Sequence, residues 1–235
     1  MNLPQKIGSS NLHLAAPNNF SLGDCNSKRD SHLEKYIIFD FDGTIADTFS
    51  FAEKIGKDIA NRYSITISSE EAREVGFKTA LLKSGFPLWH LSKTINEFKK
   101  RMSVNIVNDV EMINGIKPVL LSLYEKYRLG ILSSNSKQNI EKFLRRHNTY
   151  NLFEFIYSDS SVFGKHVVLK RLCKKLNIDK NKLIYVGDED RDIYAANRLG
   201  IKSIAFSGGY NNESVLKKAN PSYLVSSPEQ ILEIL

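Results

Sequence analysis

Four short apolar runs separated by helical periods constrain this chain more than any other feature, because each leads into residues that carry chemistry. The first, Tyr36-Ile37-Ile38-Phe39, stops on Asp40 and Asp42 and is followed at once by Gly43 and Thr44. The second, Leu129 to Ser133, leads to Ser134 and Asn135, and the third, Phe155 to Tyr157, is followed by Gly164 and Lys165. The fourth, Leu183 to Gly187, ends on Asp188, Glu189, Asp190, Arg191 and Asp192, and Ser203 to Phe206 closes the series. Short runs rich in β-branched and aromatic residues and bounded by Gly read as strands. Their alternation with helices predicts an α/β fold with a doubly wound parallel sheet. In such sheets ligands bind beyond the carboxyl ends of the strands, so function is expected where these ends converge.

The helical periods lie between the runs. Helices are expected around Pro118 to Lys126, around Ile140, Phe143 and Leu144, around Leu169, Leu172, Cys173 and Leu176, and around Ala195, Ala196 and Leu199 with Gly200 as terminator. The block after Asp42 is nearly all helical. Phe51, Ile55, Ile59 and Tyr63 share one helical face, and Ser68 with Glu71 forms a capping box for a helix through about Lys83. Pro87 starts a third helix, along which Leu88, Leu91, Ile95, Phe98 and Met102 recur at three- and four-residue spacing. The expected organisation is a flexible tail over residues 1–34, a core built from 35–48 and 112–235, and a helical cap over 49–111. The tail is rich in Asn, Ser and Gly and lacks a signal-peptide core or Arg-rich transit character.

Composition excludes several classes. At 235 residues, with 42% hydrophobic and 25% charged residues, the chain is ordinary for a globular protein. No apolar run approaches the roughly 20 residues of a membrane span, so no membrane role is expected. Cys25 and Cys173 read as unpaired thiols of a reducing, cytoplasmic setting. The formal charge of +7 comes from clusters such as Lys99-Lys100-Arg101, Arg145-Arg146 and Lys174-Lys175 on polar helix faces. They are not interleaved with aromatic recognition residues, so no nucleic-acid partner is expected. The chain is expected to act as a monomer or homodimer.

The strand-end residues point to a reaction. Two carboxylates as close as Asp40 and Asp42 repel unless a cation relieves them, and oxygen-only ligands suit Mg²⁺, which works beside phosphates. Ser134 and Asn135 offer groups able to hold a phosphoryl oxygen, although Ser134-Asn135-Ser136 also reads as a turn capping the next helix. A Lys at a helix start, as Lys165 is, opposes the helix dipole unless an anion sits beside it. Asp188 and Asp192, one helical turn apart, would face the same site. Asp190 and partly Glu189 read as acids favoured at a helix N-terminus.

Taken in order, Asp40-Phe41-Asp42-Gly43-Thr44, Ser134-Asn135, Lys165 and Gly187-Asp188 through Asp192 resemble the four motifs of the haloacid dehalogenase-like phosphatases, in the helical-capped subgroup that includes phosphoglycolate phosphatases. The resemblance covers residues 36 to 235, including Gly208-Gly209-Tyr210-Asn211 and the segment from Pro221. It implies a Rossmann-like core and a small phosphorylated metabolite as substrate, with phosphoglycolate as the leading candidate. It implies that Asp40 attacks phosphorus to form an aspartyl phosphate and that Asp42 protonates the leaving alkoxide and later activates water. Mg²⁺ would be held by Asp40, the backbone carbonyl of Asp42, and Asp188. Ser134, Asn135 and Lys165 would hold phosphate oxygens, with Gly43, Thr44 and Asp192 in support. Three positions depart from the pattern: His166 stands where a Pro is common, Gly208 where an aromatic is frequent, and Glu189 where a Ser is frequent, within reach of the metal's surroundings. The second acid, Asp42, separates the chain from dehalogenases and phosphonatases. A sugar phosphomutase remains the enzymatic alternative and a silent interaction protein the non-enzymatic one, against which the retention of Asp40, Asp42, Lys165 and Asp188 argues. Arg73, Lys78, Lys83, Trp89 and His90 are not separable as substrate contacts from sequence, and Trp89 and His90 read as packing or surface residues.

Overall fold

A computed structural model describes residues 33–105, 108–159 and 164–235. Cys25 and the expected tail up to residue 32 lie outside the described residues. Six strands form one sheet: β1 (Tyr36–Phe39), β2 (Arg128–Ser133), β3 (Phe153–Ser158), β4 (Leu183–Gly187), β5 (Lys202–Phe206) and β6 (Tyr223–Val225). The helices are α1 (Thr48–Arg62), α2 (Ser69–Val75), α3 (Phe77–Lys83), α4 (Leu88–Asn105), α5 (Ile116–Tyr124), α6 (Lys137–Arg146), α7 (Lys165–Leu176), α8 (Asp190–Leu199), α9 (Glu213–Lys218) and α10 (Gln230–Ile234).

The strand order is β3-β2-β1-β4-β5-β6, and every pairing is parallel. This is the doubly wound α/β arrangement expected from the alternation of runs and helices. The chain leaves β1 toward β2 on one side and β4 occupies the other, so β1 and β4 flank the point where the winding reverses, where such sheets open a crevice. Phe39 is in register with Val186 and Ile131, which sends Asp40 and Asp188 out of adjacent strand ends into that crevice. All four residues of β1 are buried. Ile37 and Phe39 pack into a core with α5 and α6, whereas Tyr36 and Ile38 pack with α7 residues such as Leu169 and Leu172 on the other face. Burial on both faces is why the strand reads as continuously apolar.

Helices α1 to α4 lie between β1 and β2, over the segment expected as a cap. Their departure and return run side by side: Ala46 bridges Met112, the Asp47 N–H donates to Glu111 O at 2.8 Å, and the Ile113 N–H to Ile45 O at 2.9 Å. Three readings need correction. The helix expected to run from Ser68 to about Lys83 is two helices, because Gly76 adopts φ 79° and ψ 150° between them, a backbone state that side chains disfavour and Gly tolerates. Ser68 does cap α2, its Oγ accepting from the Glu71 N–H at 3.0 Å. On α1 the buried stripe is Ala52, Ile55, Gly56 and Ile59, with Phe51 and Tyr63 only half-buried. Small residues let the helix approach its neighbours, and a reading weighted toward large apolar side chains passes over them. On α4, Leu88 is exposed and Thr94 is buried. Trp89 is 82% exposed, as expected of a surface residue. Among the described residues, no helix is long and apolar enough to cross a membrane.

Candidate active site

The chain turns sharply after β1. Gly43 adopts φ 77°, and the Ile45 and Ala46 N–H groups both donate to Phe41 O at 3.0 Å. A Cβ on Gly43 would strike the Asp188 carboxylate, and one on Gly209 would strike the same carboxylate. The loops after β1, β4 and β5 thus meet backbone to carboxylate, a close approach that only Gly permits.

Asp40 is 3% exposed at the end of β1, its N–H donating to Val186 O at 2.8 Å. Lys165 Nζ lies 3.0 Å from Asp40 Oδ2 and also pairs with Asp192 Oδ1. The anionic partners required by a Lys at the start of α7 are therefore two carboxylates of the chain itself. Burial alone would push the Lys165 ammonium down; the charges of Asp192 and Asp40 outweigh it and hold the group well above its ordinary range. Asp192 is fully buried, and its Oδ2 accepts from the Glu189 N–H at 3.2 Å, closing a capping box at the start of α8.

Asp188, also fully buried, is held from two sides. Thr44 Oγ1 donates to its Oδ1 at 2.6 Å, and the Tyr210 N–H to its Oδ2 at 2.7 Å. Asp42 is held differently and is only half-buried: the Asn135 side-chain amide donates to both its oxygens, at 3.1 and 3.2 Å. Asn135 is itself fixed, its N–H donating to Ser133 Oγ at 3.0 Å and its carbonyl accepting from Ser158 Oγ at 2.5 Å. Ser134 stands exposed beside it at the end of β2. Glu189 pairs with Arg191 at 2.5 Å.

The electrostatics of the group are lopsided. Asp40, Asp42, Asp188 and Asp192 supply four carboxylates, with Lys165 the cation in direct contact with two of them. Burial pushes the Asp40 carboxyl up to about 7 against the pull of Lys165, with Asp192 and Asp42 adding to the rise. Asp188 is raised well above the usual carboxylate range by burial and then by Asp40 and Asp192. Asp42 is raised by burial, which Asn135 and Lys165 oppose. Asp40, Asp188 and Asp192 each present an oxygen within 4.8 Å of the others. Surplus buried negative charge with oxygen-only donors is the environment a hard divalent cation relieves, so these residues fit such an ion.

The contacts tie Asp40, Lys165, Asp192, Thr44 and Asp188 into one group and Asp42 to Asn135. Tyr210, whose backbone holds Asp188, was not singled out by sequence reasoning. Its only signal is Gly208-Gly209-Tyr210-Asn211 one residue past β5. Gly208 backs onto the Phe206 ring, and its carbonyl accepts from Arg73 at 3.4 Å.

The haloacid dehalogenase-like hydrolase family matches residues 37–206 of the chain. The phosphoglycolate phosphatase of Synechococcus elongatus is 29% identical over 202 residues, which is 84% of this chain and 95% of that protein. The glyceraldehyde 3-phosphate phosphatase of Pyrococcus abyssi is 30% identical over 200 residues, 74% of this chain and 82% of that one. A crystal structure of a haloacid dehalogenase-like protein from Agrobacterium tumefaciens shares the fold, with a TM-score of 0.74 at 22% identity, covering 85% of this chain and 96% of that chain.

Proposed function

Because the chain belongs to the haloacid dehalogenase-like hydrolase family, matched from β1 through β5, we propose that it is an Mg²⁺-dependent phosphatase acting on a small phosphate monoester in the cytoplasm. The observation that carries this reading is the separate environment of the two acids on one loop. Asp40 is buried against a cation, whereas Asp42 is half-open and held by an amide. The first arrangement suits a nucleophile and the second a proton carrier.

In this reading an Asp40 carboxylate oxygen attacks phosphorus. The ester P–O bond breaks as the new bond forms, and the departing oxygen takes the proton of Asp42. Water then gives a proton back to Asp42 and attacks the aspartyl phosphate, releasing phosphate and restoring the Asp40 carboxylate. Lys165, Ser134 and Asn135 hold the transferring oxygens. Asp192 keeps Lys165 aimed at Asp40, and Thr44 holds Asp188. Asp40, Asp188 and the Asp42 backbone carbonyl would hold Mg²⁺, which supplies charge neutralisation between an anionic nucleophile and an anionic ester. Residues 49–111 act as a cap over the crevice, on a core of 35–48 and 112–235.

The relatives named for phosphoglycolate and glyceraldehyde 3-phosphate support a small metabolite as substrate. The test is phosphate release from a panel of such esters with and without Mg²⁺, beside Asp40→Asn. Release that needs Mg²⁺ and drops by at least about 10³-fold in the variant is expected. Activity that survives EDTA or the substitution overturns the mechanism, and an isomeric phosphate without free phosphate identifies a mutase.

A further inference from the structure

Beside the catalytic loops lies a cavity of about 170 Å³ that the proposed chemistry does not use. Its walls come from both halves of the chain. Phe49 and Ala52 of α1, with Phe77 of α3 and Phe98 of α4, form one side, and Tyr210 and Asn211 of the loop after β5 form the other. Two aromatic pairs frame it: Phe77 stacks on Phe98 at 4.7 Å and 16°, and Phe49 meets Tyr210 edge to face at 5.5 Å and 86°. At the rim Lys57 and Glu53 neutralise each other at 2.7 Å. Glu189 also lines the chamber and is paired with Arg191 at 2.5 Å, so the walls are mainly aromatic and aliphatic and their charges at these points are paired.

Tyr210 links this chamber to the reacting atoms. Its backbone N–H holds Asp188 at 2.7 Å, its ring lies against Gly43, and the same ring lines the cavity. Gly43 directly follows Asp42 in the chain. A group attached to the oxygen that Asp42 protonates therefore starts beside Tyr210. The walls are also tied together. Arg73 of α2 donates to Ser207 O at 3.3 Å and lies 4.1 Å over the Phe49 ring, and Asn211 Nδ2 donates back to Arg73 O at 3.1 Å.

Resting on the phosphatase reading, we propose that this cavity receives the leaving group, and that the substrate class is phosphate monoesters whose alcohol carries one six-membered aromatic ring or a hydrocarbon of that size. A volume of about 150 Å³ is enough for a benzene-sized molecule, and the volume here matches it. Phosphoglycolate, with a two-carbon acid as leaving group, leaves this space unfilled.

Binding separates this proposal from the chemistry. The full chain with Mg²⁺ is titrated calorimetrically with phenylphosphonate and with methylphosphonate, whose P–C bonds do not hydrolyse. Phenylphosphonate is expected to bind at least tenfold more tightly, and Ala52→Leu on α1 or Ala72→Leu on α2, both of which line the chamber, to reduce that preference to under threefold while methylphosphonate affinity holds. A wild-type preference below tenfold, or one of threefold or more that survives both substitutions, overturns the cavity proposal alone. Failure of both phosphonates to bind overturns the phosphate site and this proposal together. Should neither variant fold, the wild-type comparison decides.

Discussion

Asp40 and Asp42 differ by two positions in sequence and by their partners in space, and the partners assign the work. Asn135 lowers the Asp42 carboxyl against burial by donating to both its oxygens. Asn135→Ala removes that opposition, so the Asp42 carboxyl rises further. The expected outcome is a limb of the pH–rate profile moved to higher pH, with kcat reduced by about 10- to 100-fold. A profile unmoved on the pH axis would assign the proton to another group. Gly43 poses a steric question at the same loop: its φ of 77° and the Asp188 carboxylate both oppose a side chain. Gly43→Ala is expected to destabilise the fold by about 1–2 kcal/mol from the left-handed backbone alone, and to weaken Mg²⁺ binding by displacing Asp188. Denaturant midpoints and metal titration read the two effects separately. The four strand-end motifs were legible from sequence because each is a polar residue set against an apolar run. Tyr210 was not, since its contribution to Asp188 is a backbone N–H, which every residue but Pro carries.

Helix α6 connects two parts of the molecule that sequence treats as unrelated. Its first turn follows directly on Asn135, which holds Asp42. Its last residue, Arg146, donates to Val110 O at 3.0 Å and pairs with Glu111 on the segment returning from the helical block. His147, next along, has its carbonyl bonded by Lys117 at 2.9 Å, its ring on Phe143 at 4.5 Å, and its Nε2 at 3.9 Å from Glu111. Burial, and then the Arg146 cation, hold the His147 imidazole below its ordinary value, with Glu111 in partial opposition. The folded state therefore resists a proton that the unfolded chain accepts below about pH 6.5, so this contribution to stability is present above that pH and fades as pH falls. The Tm of His147→Leu minus that of the wild type should accordingly grow more positive from pH 7 to pH 5. A difference independent of pH would remove His147 from the acid response. Elements of this size were readable wherever a period was sustained. The break at Gly76 and the three-residue β6 fell below the length at which a period shows, and the α1 stripe was hidden because Ala52 and Gly56 carry little apolar weight.

The whole chain carries a formal charge of +7, yet its crevice gathers four carboxylates around Lys165. Composition showed the net charge, but only the sheet order showed this separation, because it depends on β1 and β4 being neighbours. The surplus has a thermodynamic consequence that reports on the metal without any turnover. With Asp40 raised from 3.8 to about 7, the metal-free fold keeps a proton across that interval that the unfolded chain has already lost. Its stability therefore declines as pH rises through the window, and the decline is complete above about 7. A divalent cation competes with that proton and binds the ionised form, and a ligand that binds only the folded state raises stability by mass action. The rise in Tm on adding Mg²⁺ to EDTA-stripped protein should therefore be small at pH 5 and reach several degrees at pH 8. Asp40→Asn, which cannot ionise at this position, should flatten the decline of the metal-free protein and shrink the Mg²⁺ effect at pH 8. An Mg²⁺ shift equal at the two pH values, or undiminished in Asp40→Asn, would place the cation away from Asp40 and would separate the charge of the crevice from the metal that the proposed chemistry requires.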